Sequence, residues 1–484
     1  MTKPKKLVHN IGQPAQIEEC PIKDTGVIKE TTKWKALFRD YHIIEKHFAS
    51  FIAVAMLISL IMFGLVNPDS PLYYNSAICS TKNISIKKPQ RTPAIVWYTP
   101  NVWWIPLTRR IQCFNRSKSF ECDVFRKQSQ PNDPDAYLFY AADIDKFPLP
   151  RNPKKIWALL HDESPINRLM FLYEKSLNLF NFSATFSRYS DIPMPLMALR
   201  GLDSLTSTQY FVNTTMKNIF LTDIAPVMYM QSNCFSTTER DSYVEKLMEY
   251  INVDSYGYCI NNNILPLHRR YISLKTYRDH QFGEELLSFM ARYKFIMTIE
   301  NGVCNDYVTE KIWRAIEIGS VPIYYGSPLI RDWLPNNKSA ILLEDFPTPE
   351  LLSRHLQHLL IDDMAYEAYL EHKTLGLVTN QNLINEITER PFQTNLGNVA
   401  KKLECFVCEK ILDKKSNSVN IVTKNHYDCP APTSALTLSV NPNNKVWLRF
   451  NEDGIRRLDR IYEEIQDPDQ TPRSSNTSWW LIYA

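Results

Sequence analysis

Residues 295–326 read Phe295-Ile-Met-Thr-Ile299, Glu300-Asn-Gly-Val-Cys-Asn-Asp-Tyr307, Val308-Thr-Glu-Lys-Ile-Trp-Arg-Ala-Ile-Glu-Ile318, Gly319-Ser320 and Val321-Pro-Ile-Tyr-Tyr325-Gly326. An apolar run, a polar loop, a helix-period stretch closed by Gly319 and a second apolar run predict strand, loop, helix, strand. That is the unit of a parallel α/β sheet. Ligands of open sheets lie at the carboxyl ends of the strands, where Glu300, Asn301, Asp306 and Tyr307 fall. The next helix begins with unpaired N–H groups and a partial positive charge, a seat for phosphate that needs no glycine cluster. Lys311 stands in its first turns, and Glu310 can accept hydrogen bonds from sugar hydroxyls. The plainer reading is an ordinary amphipathic helix carrying an adjacent charge pair.

The same alternation extends outward. Strand-like runs at Ala94–Tyr98, Tyr137–Tyr140, Ile156–Leu160 and Ala184–Phe186 form one series. Val227–Met230, the helix-period stretch Thr238–Asn252 and the quoted segment form another. Two facing, doubly wound, Rossmann-like α/β domains are therefore expected, over residues 92–218 and 219–348. A helical return segment, 349–400, and an irregular, Cys-containing tail, 401–484, complete the chain.

Composition narrows the function. Of 484 residues, 44% are hydrophobic and 22% charged, which excludes wholesale disorder. Lys+Arg 55 against Asp+Glu 52 leaves +3, so no basic field invites nucleic acid. There are 12 glycines where average usage gives roughly 34. No two of them are spaced as GxGxxG, GxSxG or a Walker loop requires.

Phe48–Val66 is an uncharged apolar stretch just long enough to span a bilayer, ended by Asn67-Pro68. Lys33, Lys35, Arg39 and Lys46 precede it and no Lys or Arg occurs in 67–81, so the tail 1–47 is expected in the cytosol. The stem 67–91 and all that follows would be lumenal, anchored by one signal-anchor helix, 48–66. Six N-x-[ST] sequons, at Asn83, Asn115, Asn181, Asn213, Asn337 and Asn476, all lie on that side. So do Cys79, Cys113, Cys122, Cys234, Cys259, Cys304, Cys405, Cys408 and Cys429, which an oxidising lumen would turn to disulfides. Cys405-Phe-Val-Cys408 also admits zinc or redox readings, although no second Cys pair or suitably spaced histidines accompany it.

The quoted segment resembles the signature of the α1,3-fucosyltransferases, glycosyltransferase family 10: a strand ending in Phe-Glu-Asn, then Asp-Tyr-[Val/Ile]-Thr-Glu-Lys, then Gly-x-[Val/Ile]-Pro-[Ile/Val]-Tyr. Ile299 replaces the usual Phe. The resemblance runs from about Ala94 to Cys408. His161-Asp-Glu-Ser-Pro165, Phe180–Arg188, Val253–Gly257, Tyr325–Pro328 with Asp332–Pro335, and Cys405–Cys408 are similar to the divergent fucosyltransferase 10 and 11 branch, understood as protein O-fucosyltransferases of EMI domains in the endoplasmic reticulum.

The resemblance implies a GT-B-like architecture, with 92–218 on the acceptor side and 219–348 binding GDP-fucose. It implies that Lys311 and Arg240 bind the phosphates, that Glu310 binds the ribose, and that Asn301 and Tyr307 complete the donor site. Arg188 and Tyr256 join that group. It also implies that Cys405 and Cys408 are tied to early cysteines, among Cys79, Cys113 and Cys122. The acceptor would be a Ser or Thr of a folded EMI-type domain, or alternatively GlcNAc of an N-glycan. A catalytically silent client-binding protein is the further alternative, against which stand the retained Glu163, Arg240, Glu310 and Lys311.

Transfer needs a base for the acceptor hydroxyl. Glu163 follows the strand Ile156–Leu160 in the first domain, and the family pattern places the base there. Asp162 is its neighbour, and adjacent side chains on an extended segment point apart. Asp133-Pro-Asp135, Asp143-Ile-Asp145 and Asp467-Pro-Asp469 are Asp-x-Asp triplets. Arg240 and Lys311 already supply the cationic role, so no cofactor and no essential metal are expected.

Overall fold

The computed structural model describes residues 91–466, except 101, 103, 116–117, 145, 268–280, 414–419 and 428. The expected span 48–66, the tail before it, the stem as far as 90, and Cys79, Asn83 and Asn476 lie outside the described residues. Among the described residues no helix is long and apolar enough to cross a membrane.

The first sheet is built from β1 (Ala94–Trp97), β2 (Thr108–Asn115), β3 (Lys118–Arg126), β4 (Ala136–Tyr140), β5 (Ile156–His161), β6 (Phe182–Thr185) and β7 (Ile192–Pro193). Its order is β2-β3-β1-β4-β5-β6-β7, parallel except for the antiparallel β2–β3 hairpin. The second contains β8 (Val227–Gln231), β9 (Val253–Gly257), β10 (Phe295–Ile299), β11 (Val321–Tyr325) and β12 (Ile341–Leu342), in the all-parallel order β12-β11-β10-β8-β9. The helices that matter below are α1 (Arg240–Leu247), α2 (Glu284–Met290), α3 (Glu310–Ile318), α4 (Pro349–Ile361), α5 (Leu396–Leu412) and α6 (Lys445–Gln466).

Every residue of β1, β10 and β11 is buried, as expected of parallel strands covered on both faces. Thr309 caps α3 with its side chain, and Gly319 ends it at φ 68°. A Cβ at 319 would lie 2.3 Å from the Phe211 ring, so the left-handed turn and the packing both require glycine.

Three features depart from the sequence reading. The β2–β3 hairpin was not expected, because many of its residues are exposed and polar and no apolar run marks it. The segment after β7 packs on the second sheet, Leu196, Leu199 and Leu205 meeting Ile312, Trp313 and Ile316 of α3, so the first domain's core ends before 218. The tail beyond 400 is not irregular. Helix α5 crosses that boundary and buries Val399, Ala400, Leu403 and Val407 against the first sheet. Helix α6 buries Leu458 and Ile461, with Gly454 seated on Leu169.

Cys405 and Cys408 lie one turn apart on α5 and form separate bridges, Cys113–Cys405 and Cys122–Cys408. This is the connection that the family resemblance implies, and with each sulfur bonded elsewhere the zinc and redox readings fall. Cys234–Cys259 joins the loop after β8 to the end of β9, and Cys304–Cys429 joins the loop after β10 to the tail. Of the sequons, Asn115, Asn213 and Asn337 are exposed. Asn181 is half-buried, its Oδ1 accepting from the Trp157 amide at 2.9 Å and its Nδ2 donating to the Asn420 carbonyl at 3.1 Å, so a glycan there would disturb the start of β5.

Candidate active site

In the second sheet the chain starts at β8, moves out to β9, and then returns across β8 to β10. The crevice beyond the carboxyl ends of β8 and β10 is therefore its topological switch point. Two loops meet there, 232–239 leading into α1 and 300–309 leading into α3. The first sheet contributes the segment after β5.

Glu300 directly follows β10 and is fully buried. Its carboxylate accepts from Thr309 N at 2.9 Å, from Thr309 Oγ1 at 2.8 Å and from Lys311 Nζ at 2.9 Å. Gly326 makes room for it, since a Cβ there would stand 2.7 Å from Glu300 Cγ. Burial opposes charge on Lys311, but Glu300 and Glu310 outweigh it and raise its pKa. Burial likewise opposes charge on Glu310, and the cations Lys311 and Arg314 overcome it, lowering that pKa. Both side chains are thus ionised at neutral pH. Sequence reading placed Glu300 at the strand end but missed its task of holding Lys311; a buried acid eleven residues before a helix lysine has no motif.

Arg240 opens α1 and is almost fully buried. Its Nη2 donates to the Asn233 carbonyl at 2.6 Å, while its Nε has no protein partner. The Arg240 charge acts on Lys311, so two cations share the crevice. Such a pair fits an anionic group of more than one charge. The loop before Arg240 is backed by the tail: Ala435 N donates to Thr238 O at 2.8 Å, and Asn441 Nδ2 donates to Glu239 Oε1 at 2.9 Å.

Glu163 lies across from these groups, half-buried at the cleft wall. Burial chiefly, and the Asp162 charge next, push its pKa up to about 7 against the pull of Lys311. A carboxylate titrating near neutrality is suited to take and release a proton. Asp162 turns the other way and accepts from Tyr140 OH at 3.0 Å.

The two halves join through Glu163. Tyr307 OH donates to Glu163 Oε2 at 3.1 Å, Asn167 Nδ2 donates to the same oxygen at 3.0 Å, and Asn301 Nδ2 donates to Asn167 Oδ1 at 3.3 Å. Ser164 Oγ donates to Asn301 Oδ1 at 3.0 Å. A Cβ at Gly302 would stand 3.0 Å from Ile166, so this seam is tight.

Residues 90–197 match the fucosyltransferase N-terminal family, and residues 223–425 match the C-terminal family, glycosyltransferase family 10 (fucosyltransferase). The GDP-fucose protein O-fucosyltransferase 3 of Homo sapiens is 39% identical over 405 residues, covering 80% of this chain and 83% of its own. The Gallus gallus protein of that name is 39% identical over 401 residues (79% and 82%), and the Canis lupus familiaris one 37% over 403 (80% and 82%). The chain belongs to glycosyltransferase family 10. A crystal structure of an α1,3-fucosyltransferase with GDP is similar at TM-score 0.40 and 16% identity, over 70% of this chain and 95% of that one, too distant to carry a site across.

Within this family 10 chain, several residues expected at the donor are placed otherwise. Tyr256 lies in the core, ringed by Phe289 and Tyr293, with its hydroxyl 2.6 Å from that of Tyr293. It is not at the crevice, because strand alternation on β9 turns it toward α2. Arg188 is a clamp between the halves: its Nη2 reaches Asp306 at 2.6 Å and Asp332 at 2.7 Å, and its guanidinium lies over Trp333. Asp306, at φ 64°, is fully buried to receive it. Asn301 has its amide bonded to Ser164 and Asn167, and Tyr307 gives its hydroxyl to Glu163. Arg240, Glu310 and Lys311 remain as the charged wall. Of the Asp-x-Asp triplets, Asp133 pairs with Lys155 and Asp135 with Arg91, while Asp145, Asp467 and Asp469 lie outside the described residues.

Proposed function

We propose that this chain transfers fucose from GDP-fucose, with inversion, to a Ser or Thr hydroxyl of a folded protein domain of EMI type. The observation that carries the reading is Glu163, its pKa pushed up to about 7, set across a crevice from half-buried Lys311 and buried Arg240. Similarity to relatives named for protein O-fucosylation supports the acceptor class.

In this reading Lys311 and Arg240 bind the diphosphate and Glu310 the ribose. Glu163 takes the acceptor's hydroxyl proton as that oxygen bonds to the anomeric carbon from the face opposite GDP. The bond from that carbon to the phosphate oxygen breaks, its electron pair leaves with GDP, and the two cations stabilise the growing charge. The proton then passes from Glu163 to solvent. The arrangement is GT-B-like, with the acceptor side before 197 and the donor side after it. Segment 48–66 anchors the protein as a type II chain in the membrane of the endoplasmic reticulum or Golgi, with the catalytic part lumenal.

The test offers the lumenal part, with labelled GDP-fucose, a folded EMI domain and an N-glycan in parallel. Label on the EMI domain is expected. Label on the glycan alone moves the acceptor to GlcNAc, and no transfer to either defeats the enzymatic reading. Transfer is also expected to persist in excess EDTA, because no step requires a metal. Complete loss with rescue by Mn²⁺ would return Asp143 and Asp145 to the site.

A further inference from the structure

The carboxylate of Glu163 is held asymmetrically. Both donors it accepts from, Tyr307 OH at 3.1 Å and Asn167 Nδ2 at 3.0 Å, converge on Oε2. Among the described residues Oε1 accepts from none. The oxygens of a carboxylate are equivalent until something distinguishes them, and two donors on one of them direct the free lone pairs of the other. We infer that Tyr307 and Asn167 are positioning residues for the base: they hold Oε2 so that Oε1 alone meets the acceptor hydroxyl.

The origin of the donors gives the device a second property. Asn167 comes from the first sheet, but its Oδ1 is held by Asn301 Nδ2 of the second. Tyr307 comes from the second sheet's loop, fully buried against Phe186 and fastened nearby by Cys304–Cys429. The base is therefore aimed by the half that carries the donor-binding cations. It is correctly presented only while loop 300–309 is seated. This inference rests on the proposed transfer reaction and on Glu163 as its base.

The pH profile separates aiming from mere support. Facing Glu163 are Asp162 and Tyr140 from the first half and Lys311, Glu310 and Tyr307 from the second. The Tyr307 hydrogen bond favours the ionised carboxylate. Tyr307→Phe keeps the ring and removes only that bond, so the basic form of Glu163 should appear at higher pH. The acid limb of kcat/KM is expected to rise by about 1–2 pH units, as loss of one hydrogen bond to a charged group gives. Transfer at pH 7 then falls roughly 5–50-fold and largely recovers above the displaced limb, with GDP affinity by calorimetry near wild type. Asn167→Ala, at a half-buried position, should move the limb the same way.

An equal loss at every pH with the limb unmoved would overturn the inference, and so would a collapse of GDP affinity in Tyr307→Phe, which makes Tyr307 a donor contact. Absence of transfer by the wild type would instead defeat the proposed reaction itself, so the two failures are distinguishable.

Discussion

Glu163→Gln should bind GDP as the wild type does and transfer fucose roughly 10²–10⁴-fold more slowly, the span that general-base catalysis covers. The amide is isosteric, and its carbonyl oxygen can still accept from Tyr307 and Asn167, so orientation survives while basicity is lost. Stability should move the other way. The native carboxyl titrates at about 7 and an unfolded glutamate at 4.5, so the folded state binds the proton more tightly. Stability of the wild type therefore declines as pH rises from about 4.5 through 7, and Gln removes that decline. Melting above pH 7 should thus occur at a higher temperature in the variant than in the wild type. Collapse of GDP affinity, or a lowered melting temperature at that pH, would make Glu163 a structural acid.

Lys311→Ala should lose GDP affinity and stability together. One charge-assisted bond contributes about 1.5–3 kcal/mol, which is roughly 10–100-fold in affinity. The stability loss arises because Lys311 is the cation paired with fully buried Glu300, at 2.9 Å. Breaking one side of a buried pair costs about 3–5 kcal/mol, and the bonds from Thr309 hold the figure near the lower end. The double variant Lys311→Ala, Glu300→Gln separates the effects. It should melt near the wild type and still bind GDP poorly. Unchanged GDP affinity in the single variant would remove Lys311 from the donor site.

These two residues mark the limits of reading the chain from its sequence. Strand, loop, helix and strand over 295–326 were legible because buried parallel strands are continuous apolar runs and because Thr309 and Gly319 punctuate the helix. Lys311 was legible as a helix N-terminal cation. What holds each in place was not. Arg188 finds Asp306 a full 118 positions away, and no spacing rule connects an arginine after one sheet to an aspartate after another. Tyr256 misled because its motif is local while its burial follows from α2. Helix α6 was missed because charges dominate its surface and Gly454 interrupts it, although Asn444 caps its start at 2.9 Å from the Trp447 amide.

The bridges to α5 constrain how the protein is made. Cys113 and Cys122 emerge from the ribosome long before Cys405 and Cys408, at separations of 292 and 286 residues. At about 5–20 residues per second, the early thiols wait roughly 15–60 s for their partners. Over that time the first sheet also lacks Val399, Leu403 and Val407, which fill one of its faces. The N-terminal half therefore cannot mature domain by domain during synthesis. It must be kept soluble, with two thiols unpaired, until the chain beyond residue 408 has been delivered.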